Sequence, residues 1–252
     1  MIDKYFTSRR TIRRYSGEEV SDELLRKLIE AASHAPTTGN MQLYSVVVTR
    51  SKEGKKALAP AHFNQPTVEG SSVVLTFCAD FNRFVCWCEA SDAVPGYDNF
   101  QSFMTAVLDT TIFAQQFCTL AEMEGLGVCY LGTTTYNAPQ IAEALGLPSR
   151  VVPVTTLTVG WPEGESEVSD RLPLGAIMHN EKYDDYDRDR IVEIFSEKEA
   201  REDSKRFVAE NNKKSLAQVF TDVRYTKEAN EVFSKIYRDF ISEAGFAFPE
   251  KG

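Results

Sequence analysis

Apolar positions follow two rhythms along this chain, one with helical spacing and one in short continuous runs. Behind Ser21, a good N-cap, Leu24, Leu25, Leu28, Ile29 and Ala32 recur on one face until His34, Ala35 and Pro36 close the run, which predicts an amphipathic helix. Tyr44 to Thr49 is rich in β-branched residues and predicts a strand, followed by a helix over Lys52 to Ala61. Ser72 to Cys78 is a second strand-length run, and Asp80 and Asn82 lead from it into another helical stretch. Phe100 to Met123 carries Phe103, Val107, Ala114, Phe117 and Ala121 without an internal Gly or Pro. A helix of that length reaches about 36 Å, so it should be central, apolar on more than one side, and a candidate subunit interface. Gly125 and Gly127 end it before a short strand at Val128 to Leu131. A helix over Ala138 to Leu145 closes at Gly146 and Pro148, and Val152 to Val159 forms the last strong strand before Gly160, Trp161 and Pro162.

From Asp184 the composition turns charged and helical, with Ile191, Ile194 and Phe195, then Val232, Phe233, Ile236, Phe240 and Ile241, spaced to give single apolar faces. Residues 184–252 therefore read as a helical extension that packs as an extra layer or wraps a partner subunit, and residues 1–183 as the main domain. Strands alternating with helices place that domain in the α/β or α+β class, with a small mixed sheet flanked by helices.

Charge narrows the partners. Asp and Glu number 37 against 28 Lys and Arg, a formal net charge of -9 over 252 residues, and such a field repels nucleic acid and anionic membranes. The amino terminus lacks the apolar stretch of a signal peptide, and nowhere do eighteen apolar residues stand together. The five cysteines, Cys78, Cys86, Cys88, Cys118 and Cys129, form no CxxC pair and have no neighbouring His. They predict reduced, mostly buried thiols in a cytoplasmic protein without a metal site.

Against that acidic background, Lys4, Arg9, Arg10, Arg13 and Arg14 crowd the first fourteen residues, with Thr11 among them. Guanidinium forks match phosphate oxygens bidentately, so the cluster reads either as a solvated basic arm or as a holder for a phosphate-bearing ligand. The loop Ala35 to Gln42 places Thr37, Thr38, Gly39, Asn40 and Gln42 just before a strand. A plain turn accounts for the first four, whereas Gln42, and Gln65 further on, offer amides that both donate and accept, as the edge of a heterocycle with a carbonyl and a ring N–H requires. Gly125, Gly127 and Gly132 miss the GxGxxG spacing and follow a helix, which excludes a Rossmann site. No P-loop, HExxH or GxSxG occurs, so neither hydrolase nor metal chemistry is indicated and no catalytic nucleophile stands out. Cys86 and Cys88, flanking Trp87, should point in different directions and pack; Arg171 is a further candidate anion contact.

Taken in order, these segments resemble the FMN-dependent nitroreductase and flavin reductase family. Ser8 to Tyr15 is similar to its RRSIRxF opening, Ala35 to Gln42 to its Ala-Pro-Ser/Thr-x-x-Asn-x-Gln loop, Cys78 to Arg83 to its CADFNR-like strand end, and Tyr130, Leu131 and Gly132 to its strand beside the flavin. Gly160 to Pro162, Arg171 to Pro173 and His179 to Tyr183 resemble the GWP, RLP and HENxY stations of the oxygen-insensitive NADPH nitroreductase and FMN reductase subgroup, so the likeness runs from about residue 5 to 185.

The resemblance implies an α+β fold with a central, mainly antiparallel sheet, and a homodimer with FMN at the subunit interface. It also implies reduction by NADPH or NADH and ping-pong transfer to nitroaromatics, quinones or free flavins. By matching positions, Arg9, Arg10, Thr11 and Arg13 would hold the FMN phosphate and ribityl chain, with Arg171 adding a contact. Thr37, Thr38, Gly39, Asn40 and Gln42 would line the flavin from one subunit, Gln65 would lie near the ring, and Leu131, Gly132 and Thr133 would approach it through backbone groups. Two departures stand out: Ser169 replaces a Lys common in the subgroup, and Lys213 and Lys214 stand where tail arginines take the 2′-phosphate of NADPH. A flavin carrier or sensor without turnover is the alternative from another class.

Overall fold

A computed structural model describes residues 2–248, and the chain divides into two compact units. The larger comprises residues 9–166 and 233–248; the smaller comprises residues 2–8 and 167–232. The boundary thus falls ahead of the composition change at Asp184, because residues 167–187 hold only one short helical turn, Leu174–Ala176, and the last helix returns to the larger unit.

The larger unit is built on four strands, β1 (Tyr44–Thr49), β2 (Val73–Asp80), β3 (Gly127–Leu131) and β4 (Val151–Gly160), in the order β1-β2-β4-β3. Every pairing is antiparallel, so the mixed sheet expected from the alternation of elements is not found among the described residues. β2 is central and buried at all eight positions, which is why its sequence reads as a continuous apolar run rather than an alternation.

Helix α1 (Ile2–Thr7) opens the smaller unit, and α2 (Asp22–Ala32) is capped by the Ser21 hydroxyl, which accepts from the Leu24 N–H. The helix expected over 52–61 splits into α3 (Lys52–Leu58) and a 3₁₀ turn, Ala59–His62, with Pro60 at its start. Next come α4 (Pro66–Gly70), α5 (Asn82–Ala90), α6 (Phe100–Met123) and α7 (Ala138–Leu145). α6 matches its expected span and lies on the sheet, with Phe113 stacked on Tyr44 at 4.4 Å and Phe113 and Phe117 against Phe77 at 5.2 and 5.9 Å between ring centroids. Its other face is left uncovered by the described residues, and Leu108, Ile112 and Met123 are exposed there. Val74, Cys129 and Leu131, at alternate strand positions, instead face Leu58, Val68 and Ile141.

In the smaller unit, α8 (Arg188–Ala200), α9 (Glu202–Glu210) and α10 (Leu216–Val219) are tied by Lys198 on Asp170 at 2.7 Å and by the Glu199 carboxylate, which accepts the Leu216 N–H at 3.1 Å. α11 (Lys227–Glu243) ends in the larger unit, where Phe233 stacks on Tyr136 at 4.5 Å, the Tyr237 hydroxyl donates to Pro153 O, and Phe246 is fully buried. No helix is long and apolar enough to cross a membrane among the described residues.

Candidate functional site

The basic segment is fixed along the outer edge of β3. Ile12 N–H donates to Val128 O at 3.2 Å, Ser16 N–H to Trp161 O at 2.9 Å and Glu163 N–H to Arg14 O at 3.0 Å. Gly127 and Gly160 are register partners, and a Cβ on either would strike this segment, 2.6 Å from Ile12 Cβ at Gly127 and 2.8 Å from the Tyr15 ring at Gly160. Two glycines therefore flatten the sheet end on which the arm lies. Tyr15 anchors it through Thr158 Oγ1 at 2.8 Å and Ile12 O at 3.0 Å, and burial pushes its hydroxyl pKa up to about 12.

The arginines divide by role. Arg9 is half-buried and spent on Glu122 at 3.0 Å and Cys118 Sγ at 3.8 Å. Arg10 and Arg13 are exposed, and neither forms an ion pair among the described residues. Arg13 reaches toward Cys129, pulling its thiol pKa down, although burial dominates and leaves it raised. In a protein of net charge -9, guanidinium groups without an ion pair on a fixed backbone are suited to an anion. Thr11 lies half-buried between them.

Where β3 ends, Leu131 is buried and Gly132 exposed, with nothing within 4 Å of where a Cβ would stand, so a flat ligand can approach the backbone closely there. Buried Thr133 shares a hydrogen bond of 2.8 Å with His62 Nδ1, and the Asn137 amide donates to Ala61 O at 2.8 Å. These bonds tie the strand end to the turn carrying Gln65, whose N–H donates to His62 O at 3.2 Å. His62 is wholly buried; desolvation lowers its pKa to about 4, so the ring is neutral at pH 7, and its Nε2 has no hydrogen-bond partner among the described residues.

The second cluster lies beyond the opposite edge, in the loop before β1. Gly39, Asn40 and Gln42 all adopt left-handed φ, at 55°, 57° and 55°. For a non-glycine residue this conformation costs roughly 1–2 kcal/mol, somewhat less for Asn. Asp109 of α6, 1% exposed, holds the loop by accepting from the Thr37 hydroxyl, from Thr38 N–H at 2.9 Å, from the Thr38 hydroxyl at 3.0 Å and from Leu43 N–H at 3.4 Å. Thr37 Oγ1 in turn accepts Gln42 N–H at 3.0 Å. From α5, the Arg83 guanidinium donates to Gln42 O, to Tyr44 O at 3.0 Å and to Ser45 Oγ at 3.1 Å. Both threonine hydroxyls are thus spent on Asp109, and the exposed amides of Asn40 and Gln42 are joined by a hydrogen bond from Gln42 Nε2 to Asn40 Oδ1 at 3.4 Å.

The two clusters do not come together within one chain. β1 and β3 are the sheet's two edges, three strand spacings or about 14 Å apart, with β2 and β4 packed between them. The remaining candidates lie in the smaller unit: Arg171 is exposed and donates to Ser169 O and Asp170 O, Lys213 pairs with Asp222 at 2.9 Å, and Lys214 is exposed. His62, Arg83 and Asp109 were not singled out from sequence. A signal existed for Asp109, the sole charge between Phe100 and Ala121, since a lone acid in a helix apolar on several sides has to be buried and partnered.

Comparison with known proteins supplies a second line. The Nitroreductase family model matches residues 6–161. The chain is 33% identical over 190 residues to an FMN reductase [NAD(P)H] of Bacillus subtilis, covering 72% of this chain and 74% of that protein. It is 32% identical over 178 residues to an oxygen-insensitive NADPH nitroreductase of Salmonella typhimurium, covering 71% and 72%. A crystal structure of an inferred oxidoreductase from Bacteroides fragilis superposes with a TM-score of 0.95 at 51% identity, covering 96% of this chain and 99% of that one.

Proposed function

Because the chain belongs to the nitroreductase family, we propose that it is an FMN-dependent NAD(P)H oxidoreductase whose flavin sites are each shared between two copies of the chain. The observation that carries this reading is the placement of the two candidate clusters at opposite sheet edges, guanidinium groups without an ion pair at one and exposed side-chain amides at the other. A dimer joined through the outer face of α6, where Leu108, Ile112, Gln115 and Met123 are exposed, would set the arginine edge of one copy against the amide loop of the other.

The residues fit FMN. Arg10 and Arg13 match a phosphate dianion, the bare backbone at Gly132 admits a ring, and the amides of Asn40, Gln42 and Gln65 can meet ring carbonyl and N–H groups. When bound, FMN supplies a carrier that accepts hydride from a reduced nicotinamide and passes electrons to a second substrate. Arg10, Arg13 and Thr11 hold and neutralise the phosphate end, with Arg171 as a further contact. The loop from Thr37 to Gln42 orients the ring edge, its threonines acting through the backbone and its amides directly. Leu131, Gly132 and Thr133 would meet one face of the ring through the backbone, and nicotinamide and acceptor would use the other face in turn, so ping-pong kinetics are expected. No side chain needs to act as nucleophile or metal ligand, and the acceptors are flat: nitroaromatics, quinones or free flavin. Lys213 and Lys214 would meet the nicotinamide dinucleotide; since Asp222 already engages Lys213, both NADH and NADPH are expected as donors. Four buried thiols and one exposed, none in a disulfide, accord with a cytoplasmic enzyme.

The test is spectroscopic. The purified protein should be yellow, bleach within seconds under anaerobic NADPH or NADH, and recover its colour with a quinone or nitroaromatic. A yellow protein inert to both nicotinamides would be a carrier, and a colourless one unable to take up FMN would overturn the reading.

A further inference from the structure

α6 carries two features that belong to different tasks, and they are adjacent. Leu108 and Ile112 are exposed on the face left uncovered by the chain, while Asp109 between them is buried and turned to the Thr37–Leu43 loop. The helix cannot slip, because Thr110 Oγ1 donates to Cys78 O of β2 at 3.1 Å and Phe113 is locked in the core. Asp109 forms no ion pair among the described residues; each of its four contacts is a donor from the loop. Those donors bracket Gly39, Asn40 and Gln42, the three residues with left-handed backbone, on both sides. Two of the three, Asn40 and Gln42, are non-glycine residues in a disfavoured conformation, which the bonds inside the loop do not by themselves fix. Arg83 holds the loop through Gln42 O, and every other side-chain bond from outside it among the described residues comes from the Asp109 carboxylate, on the helix whose outer face would meet the partner.

We propose that Asp109 is the positioning residue for flavin binding: from the interface helix it presets the Thr37–Leu43 loop, before any ligand arrives, in the conformation that presents the Asn40 and Gln42 amides across the dimer. The inference rests on the shared-site reading, but the preset loop is a property of the ligand-free protein and can be measured there. Affinity depends on such preorganisation, because a loop that must be ordered on binding weakens binding by the population of its competent form. Asp109→Asn keeps one acceptor oxygen and places an amide N–H against loop donors, so it should loosen the loop while leaving the Phe77, Phe113 and Phe117 core in place.

The experiment uses full-length protein depleted of flavin, and FMN as the probe. For Asp109→Asn, amide exchange at Thr38 and Leu43 should accelerate at least about tenfold in the absence of FMN, the FMN dissociation constant should rise at least about tenfold, and the dimer should persist on gel filtration. Thr38→Val, an exposed change that removes one donor and leaves the carboxylate intact, should raise the FMN dissociation constant severalfold and serves if the first variant fails to fold. Unchanged exchange at Thr38 and Leu43, or FMN affinity within about threefold of wild type in these variants, overturns the proposal. If the wild-type protein takes up no FMN, the flavin reading fails, and the exchange comparison alone still decides whether Asp109 presets the loop.

Discussion

Replacing His62 by Asn probes the joint that holds Gln65 beside the end of β3. Asn places an amide near the position of the imidazole Nδ1, so Thr133 keeps a partner while the titrating ring is removed. In the folded protein burial lowers the His62 pKa from 6.5 to about 4. The unfolded chain therefore takes up a proton first as the pH falls, and stability that is complete above pH 7 is lost through 6.5 down to about 4. At about 1.36 kcal/mol per pH unit, the gap between 6.5 and about 4 amounts to about 3 kcal/mol. Urea unfolding at pH 7, 6, 5 and 4, at fixed protomer concentration and saturating FMN, measures it, since both dimerisation and ligand contribute by mass action. The difference in unfolding free energy between wild type and His62→Asn should move by about 3 kcal/mol in the variant's favour between pH 7 and pH 4, with carboxylate contributions common to both. Parallel curves over that range would refute the assignment of a neutral buried imidazole at this joint.

Arg13→Ala removes one of two unpaired guanidinium groups, so the FMN dissociation constant should rise about tenfold to hundredfold with little change in melting temperature, read by flavin fluorescence quenching; an unchanged constant removes Arg13 from the phosphate site. Gly127→Ala puts a methyl group 2.6 Å from Ile12 Cβ, and overpacking of about 1–3 kcal/mol should lower the melting temperature by several degrees and displace the basic arm. Calorimetry showing an unshifted transition would contradict that packing.

What was legible in the sequence was whatever lies along one element. The span of α6, its uncovered apolar face, the strand at Tyr44–Thr49 and the helix closed by Gly146 all follow from periodicity and caps. The site was legible as residue types in segments, not as a geometry. Nothing local distinguishes Arg9, drawn to Glu122 and to Cys118 109 positions away in the chain, from Arg10 and Arg13, which form no ion pair among the described residues. The hydroxyls of Thr37 and Thr38 look like ligand groups until Asp109 is brought against them by the packing of α6 on the sheet. Likewise nothing near His62 in the sequence marks its burial, which comes from the strand end at Thr133. Each of these facts depends on contacts between elements far apart in sequence, which short-range patterns do not encode.

Subunit complementation bears most directly on the shared flavin site. One variant lacks the arginine edge, Arg10→Ala with Arg13→Ala, and another lacks the amides, Asn40→Ala with Gln42→Ala; each homodimer should bind FMN poorly. A heterodimer purified through two different tags contains one pairing of intact edge with intact loop, and it should bind one FMN per dimer with wild-type affinity. A heterodimer as poor in FMN as its parents would show that both groups must come from the same chain, and the two-subunit site would be wrong.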